Sequence, residues 1–166
     1  DSRVGEALGI EGRPDLHPGK GPVGGLHTGL TWAREMGLDG VFLLACDLPL
    51  VSTRIVGRIL HGWPAEARAV VPECRGPLGF EPLCGGYDVR VLPFLENIMG
   101  GGDLSMTRAL SRFEVHRVPR GDLGGSHEVD RAFSNVNTPE DAEWAEGILS
   151  PFRDPGTEKR EEEEAG

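Results

Sequence analysis

A chain of 166 residues with 38% hydrophobic and 27% charged side chains has the size and apolar content of one globular domain. Its formal net charge of −10, with no basic stripe, argues against a nucleic-acid partner. Phosphorylated small molecules stay open, because a divalent cation can bridge two anionic partners. No apolar run approaches the roughly 20 residues of a membrane span, and no signal peptide is visible, so a membrane partner is not expected.

The opening, DSRVGEALGIEG, carries no initiator Met and no clear strand, and reads as a start inside a larger unit. Gly24-Gly25 then precede a helical stretch, Leu26 to Gly37, with apolar residues at Leu26, Leu30 and Ala33 and a glycine stop at Gly37. Val41 to Ala45 is continuously apolar and reads as a strand buried on both faces. Ser52 or Thr53 caps a helix to about Leu60. Strands are expected over Ala67 to Pro72, Glu81 to Tyr87 and Phe113 to Val118. Between the last two, Asp88 caps a helix to about Met99, the run Gly100-Gly101-Gly102 breaks it, and Asp103 or Ser105 starts a short helix to about Arg112. Thr138-Pro139-Glu140-Asp141 is a helix start, with Thr as N-cap, Pro in the first turn and acids on the positive helix end, and the helix runs to about Leu149. The alternation predicts one α/β domain over residues 1–150, with a mostly parallel sheet covered by helices on both faces. Residues 151–166, rich in glutamate, read as an acidic, disordered tail. Cys46, Cys74 and Cys84 are odd in number and lack CxxC spacing, so they read as reduced thiols of a cytoplasmic protein.

Three stretches carry chemistry. In FLLACDLPLVS, Asp47 follows a strand directly, where ligands of such sheets bind. Pro49 stiffens the chain just after it. Two uses of Asp47 stand open: a Mg²⁺ ligand, since Mg²⁺ takes one or two carboxylates plus phosphate oxygens and water, or the closing residue of a turn. In DLHPGKGPVGGLHTGL, glycines and prolines lead into a helix whose N-terminus favours anions, or simply form its flexible approach. In FSNVNTPED, Asn135 and Asn137 flank Val136, so a core-facing Val136 would turn both amides the other way. Two carboxamides can read the donors and acceptors of a ring system, or can serve as turn residues before the helix.

Taken in order, GPVGG, CDLP, EPLCGGY and NVNTPED resemble the molybdenum cofactor guanylyltransferases, over roughly Asp15 to Ile148. The pairing of CDLP with NVNTPED is the specific part. The resemblance implies a Rossmann-like nucleotide-diphospho-sugar transferase fold and a reaction joining GMP from GTP to the terminal phosphate of molybdopterin, with release of pyrophosphate. It implies that Asp47 binds Mg²⁺ at the GTP and is catalytic. It implies that Asp15 contacts the guanine nucleotide, beside a loop containing Gly21, Pro22 and Gly25. Pro82 and Leu83, with Asn135 and Asn137, match positions on the pterin side. Expected partners are GTP and molybdopterin, together with cofactor-insertion proteins or molybdoenzymes. The family's opening strand and glycine-rich loop, LAGGxSxRMGxDK, has no match in this sequence; Lys20 does not stand at its lysine position, and Leu104 stands where a basic residue often follows the glycine turn. The readings that compete are another nucleotidyltransferase of the same fold, of the cytidyl or sugar-phosphate type, and an inactive fragment or binding module.

Overall fold

The computed structural model describes residue 9 and residues 12–152. The chain's opening, apart from these, and the acidic tail beyond Phe152 lie outside the described residues.

Among the described residues four strands form one mixed sheet: β1 (Gly40–Leu44), β2 (Ala69–Pro72), β3 (Cys84–Asp88) and β4 (Val115–Val118), in the order β1-β3-β2-β4. β3 pairs antiparallel with both β1 and β2, and β2 pairs parallel with β4. Three strands therefore run one way and β3 alone runs against them. The registers Leu44↔Cys84 and Gly40↔Asp88 align the end of β1 with the start of β3.

Side chains alternate across this sheet as the two-residue strand period requires. Ala69, Val71 and Tyr87 enter one core with Val23, Leu26 and Leu30 of α1 (Gly21–Glu35), Leu92, Leu95 and Ile98 of α3 (Leu92–Met99) and Met106, Ala109 and Leu110 of α4 (Met106–Leu110). Val70, Cys84 and Val118 enter the other, with Ile55 and Ile59 of α2 (Thr53–His61), Leu123 of α5 (Arg120–Leu123) and Val129 and Ala132 of α6 (Ser126–Ala132). Helices thus cover both faces, as expected. The last α-helix of the described residues is α7 (Pro139–Leu149).

Local signals explain where most elements begin and end. Ser52 caps α2 by accepting from the Ile55 N–H, Ser105 caps α4 through Arg108 N–H, and Asp88 accepts from Arg90 N–H at the 3₁₀ turn Val89–Val91 that leads into α3. Thr138 and Asp141 form a reciprocal capping box at α7. Gly37, at φ +72°, ends α1 with Leu38 N–H bonded to Ala33 C=O at 2.8 Å, the 6→1 bond of a Schellman motif.

Two expectations are corrected and one segment is added. GPVGG is the first turn and a half of α1 and not a loop ahead of it, because Pro22 has its ring-fixed φ where a helix starts and gives up no needed hydrogen bond. β1 is not buried on both faces along its length: it lies at the edge of the described sheet, most of its residues are half-buried, and Leu44 is 47% exposed. Finally, α5 and α6 lie within residues 120–132, where the sequence carries no helical expectation. Each is a short helix beside Gly121, Gly124 and Gly125, and they form because Leu123, Val129 and Ala132 are buried against the sheet.

Candidate functional site

The strand directions bring one end of the sheet together. β1 and β2 finish there and β3 starts there, so the CDLP turn, the loop 73–83 and the segment after α6 meet. α1 precedes β1 and runs back along the sheet, which brings its N-terminus to the same end.

Backbone hydrogen bonds lock the three motifs to one another. Ala45 N–H donates to Leu83 C=O at 2.8 Å, joining the end of β1 to the EPL turn. Val136 N–H donates to Asp47 C=O at 2.9 Å, joining the NVN segment to CDLP. The EPL turn is held in turn by Glu81 N–H to Pro72 C=O, 3.0 Å, and by the Tyr87 hydroxyl donating to Pro82 C=O, 2.6 Å. Tyr87 is wholly buried, and burial pushes its phenol far above its ordinary range, so it is a fixed donor and not a titrating group.

Asp47 is half-buried just past β1, and its Oδ2 accepts from Asn135 Nδ2 at 3.0 Å. Beside it lies a cleft of about 510 Å³, within the range of small-molecule sites. Pro22, Pro82, Leu83 and Asn135 all line it, so four of the expected site residues share one cavity and Asp47 borders it through Asn135. Asn137 is separate: it is exposed, and its N–H donates to Asp141 Oδ2 at 3.1 Å as part of the α7 start. Val136 is half-buried between the two amides. Gly21, at φ +58°, opens α1, and Gly25 sits inside that helix. Asp15 is exposed on the approach to α1, where Leu16 N–H is tied to Thr28 Oγ1 at 3.0 Å; among the described residues no hydrogen bond joins it to Asp47. Lys20 donates through Nζ to Met99 C=O at 3.3 Å, against the carbonyl end of α3. Leu104 lines the cleft, and Arg108 lies 3.7 Å from Asp103.

The donors fit a hard cation of the Mg²⁺ type. A half-buried carboxylate and a carboxamide stand together, and among the described residues there is no group of three or more His, Cys, Asp or Glu that would form a dedicated cage. The sequence did not point to Glu81. It lines the cleft half-buried, its Oε1 accepts from Leu83 N–H at 2.9 Å, and burial raises its carboxyl above the ordinary range, with the Asp47 charge adding to the rise against the Leu83 hydrogen bond. In sequence it is one glutamate among many, and only the closed turn places it. The three thiols are free: Cys46 is exposed, whereas burial pushes Cys74 up to about 11 and Cys84 up to about 12.

Comparison with known proteins places this site in context. A family model described as "MobA-like NTP transferase domain" matches residues 2–118. The molybdenum cofactor guanylyltransferase of Desulfosudis oleivorans is 30% identical over 139 residues, which is 84% of this chain and 66% of that protein. That of Cereibacter sphaeroides is 31% identical over 143 residues, 86% of this chain and 67% of that protein. The chain thus spans about two thirds of the length of the curated relatives it matches. The crystal structure of molybdopterin-guanine dinucleotide biosynthesis protein A from Archaeoglobus fulgidus superposes with a TM-score of 0.71 at 27% identity, covering 91% of this chain and 76% of that one. A protein from Aquifex aeolicus shares the fold at 23% identity, with a TM-score of 0.66 over 83% of this chain and 68% of that one. Among the described residues no helix is long and apolar enough to cross a membrane.

Proposed function

The chain belongs to the MobA-like NTP transferase domain family, and on that premise we propose that it serves the transfer of GMP from GTP to molybdopterin, giving the guanine dinucleotide cofactor and pyrophosphate. The observation that carries this reading is the Asp47–Asn135 pair, 3.0 Å apart at the edge of the cleft that Pro22, Pro82 and Leu83 line. It joins motifs from distant parts of the chain into one site with a metal-binding carboxylate at its rim.

In this reading an oxygen of the acceptor's terminal phosphate attacks the α-phosphorus of GTP. A new P–O bond forms as the bond to the β,γ-pyrophosphate breaks. The nucleophile is already anionic, so no residue has to remove a proton from it. Asp47, with Asn135 beside it, would hold Mg²⁺, which when bound offsets phosphate charge and steadies the charge developing on pyrophosphate. Asn135 orients the Asp47 carboxylate through its N–H. The N-terminal turn of α1, which lacks acidic residues, presents backbone N–H groups and the positive helix end to phosphate near Gly21, Pro22 and Gly25. Asp15 stands ahead of that turn, on the nucleotide side. Pro82 and Leu83 form an acceptor wall whose position the Tyr87–Pro82 and Ala45–Leu83 bonds maintain. Asn137 adds an exposed amide on the far side of Val136. We place this chemistry in the cytoplasm, in keeping with three unpaired thiols.

The test is synthesis by the full-length protein supplied with Mg²⁺, molybdopterin and GTP. Guanine dinucleotide and equimolar pyrophosphate are expected, with little product when CTP replaces GTP. Equal turnover of CTP would move the chain to the cytidylyltransferases, and absence of any nucleotide transfer would end the proposal.

A further inference from the structure

The turn that Glu81 closes uses only one of its two carboxylate oxygens. One oxygen of its carboxylate closes the EPL turn at Leu83 N–H, 2.9 Å away. The other oxygen has no hydrogen-bond partner among the described residues. Among the described residues no base within salt-bridge distance neutralises it: Arg75, the one base among the lining residues, is 3.2 Å from Asp130 instead. A half-buried carboxylate without a counter-ion is costly, and the cost falls when further N–H donors reach it. Arg75 and Asn135, which also line the cleft, donate to Asp130 and Asp47 and not to Glu81. Pro22, Phe80, Pro82, Leu104, Met106 and Phe133 make it largely apolar, a surface suited to the faces of a flat ring. The turn is also rigid, pinned by the Glu81, Pro82 and Leu83 backbone bonds to β2, Tyr87 and β1, so the carboxylate is held in place before any ligand arrives.

We propose that Glu81 reads the N–H edge of a 2-amino-4-oxopyrimidine ring, the edge that guanine and pterins share. This edge carries a ring N–H and an exocyclic NH₂ side by side. Two parallel donors match the two oxygens of one carboxylate, the oxygen bonded to Leu83 N–H accepting the second donor on its remaining lone pair, in the fork geometry that makes bidentate pairs selective. Glu81 thereby becomes a specificity-determining residue of the cleft, and a ring bearing a carbonyl in place of the 2-amino group is rejected. The inference rests on the transferase reading for the identity of the ring and is silent on turnover.

The experiment therefore measures binding alone, on the full-length protein and its Glu81→Gln variant. Glutamine keeps an oxygen for Leu83 N–H but places an NH₂ group where the ring donors would go. One pair of probes is pterin and lumazine, which differ by the 2-amino group and are followed by their own fluorescence. The other is GTP and inosine triphosphate, followed by calorimetry. The wild type is expected to prefer the 2-amino member of one pair by at least about tenfold, and Glu81→Gln to abolish that preference. The pair that responds identifies the pterin or the guanine as the ring in the cleft. Equal affinities within both pairs in the wild type overturn the proposal, and this comparison needs no variant to fold. A preference that survives in Glu81→Gln also overturns it, as does a variant altered only in its Mg²⁺ titration. If the ring preference holds while no dinucleotide is ever made, the transferase reading fails and the role of Glu81 stands.

Discussion

At the scale of single residues, Asp47 shows how a side chain is committed by its surroundings. Its backbone carbonyl accepts from Val136 N–H, while its carboxylate accepts from Asn135. The structural tie is thus mainly through the backbone, which leaves the carboxylate's charge free for a ligand. Asp47→Asn in the full-length protein should keep the fold, since an amide oxygen still accepts from Asn135. It should lower kcat by about 100-fold, the scale of losing a preorganised electrostatic group. Turnover measured across a Mg²⁺ titration, with a melting curve as control, checks this. Unchanged turnover would leave Asp47 as a turn residue. That Asp47 follows a strand was legible in FLLACDLP, because an apolar run stops there at a carboxylate and a proline. That Asn135 touches it was not, since 88 positions separate the two and no local pattern links them. Glu81 was hidden for the same reason.

At the scale of elements, short-range chemistry decided the starts and stops. Ser52, Ser105, Thr138 and Gly37 act within one helical turn, so the local sequence is sufficient. β3 is different, because its two central glycines answer to groups across the sheet. A Cβ on Gly86 would lie 2.4 Å from Trp63 Cζ3 and 2.9 Å from Cε3. The missing side chain is what lets the indole pack against Gly86, while its Nε1 donates to Ala67 C=O at 3.1 Å. Gly86→Ala should therefore destabilise by about 1–3 kcal/mol through overpacking. Gly57→Ala, in α2 with nothing within 4 Å of the added carbon, should instead stabilise by about 0.5–1 kcal/mol. Urea unfolding of the two variants should give midpoint shifts of opposite sign; a neutral Gly86→Ala would mean that Trp63 moves freely.

At the scale of the whole molecule, folding couples groups that the sequence keeps independent. His27 is only 6% exposed in α1, its ring meets His17 edge to face at 4.8 Å, and its Nδ1 has no hydrogen-bond partner among the described residues. Burial lowers its pKa from the ordinary 6.5, and the charge of His17 lowers it further, against a smaller opposing pull from Glu96. The unfolded chain then takes up this proton first. The stability tied to neutral His27 is present above pH 6.5 and is lost as pH falls below that value towards the folded pKa. The melting temperature should fall from pH 7.5 to pH 5.5, and His27→Gln should flatten that part of the profile. An unaltered slope in the variant would place the acid sensitivity elsewhere. The sequence by itself determined the alternation of strands and helices, the capped helix ends, the strand-end aspartate and the run of motifs that marks the family, because each depends on residues within a few positions of one another. Only the tertiary structure decided that β3 runs against its neighbours, that β1 lies at the edge of the described sheet, that α5 and α6 form, and that Asp47, Asn135 and Glu81 border one cleft. These follow from strand pairing and burial between distant segments, where long-range packing overrides local preference.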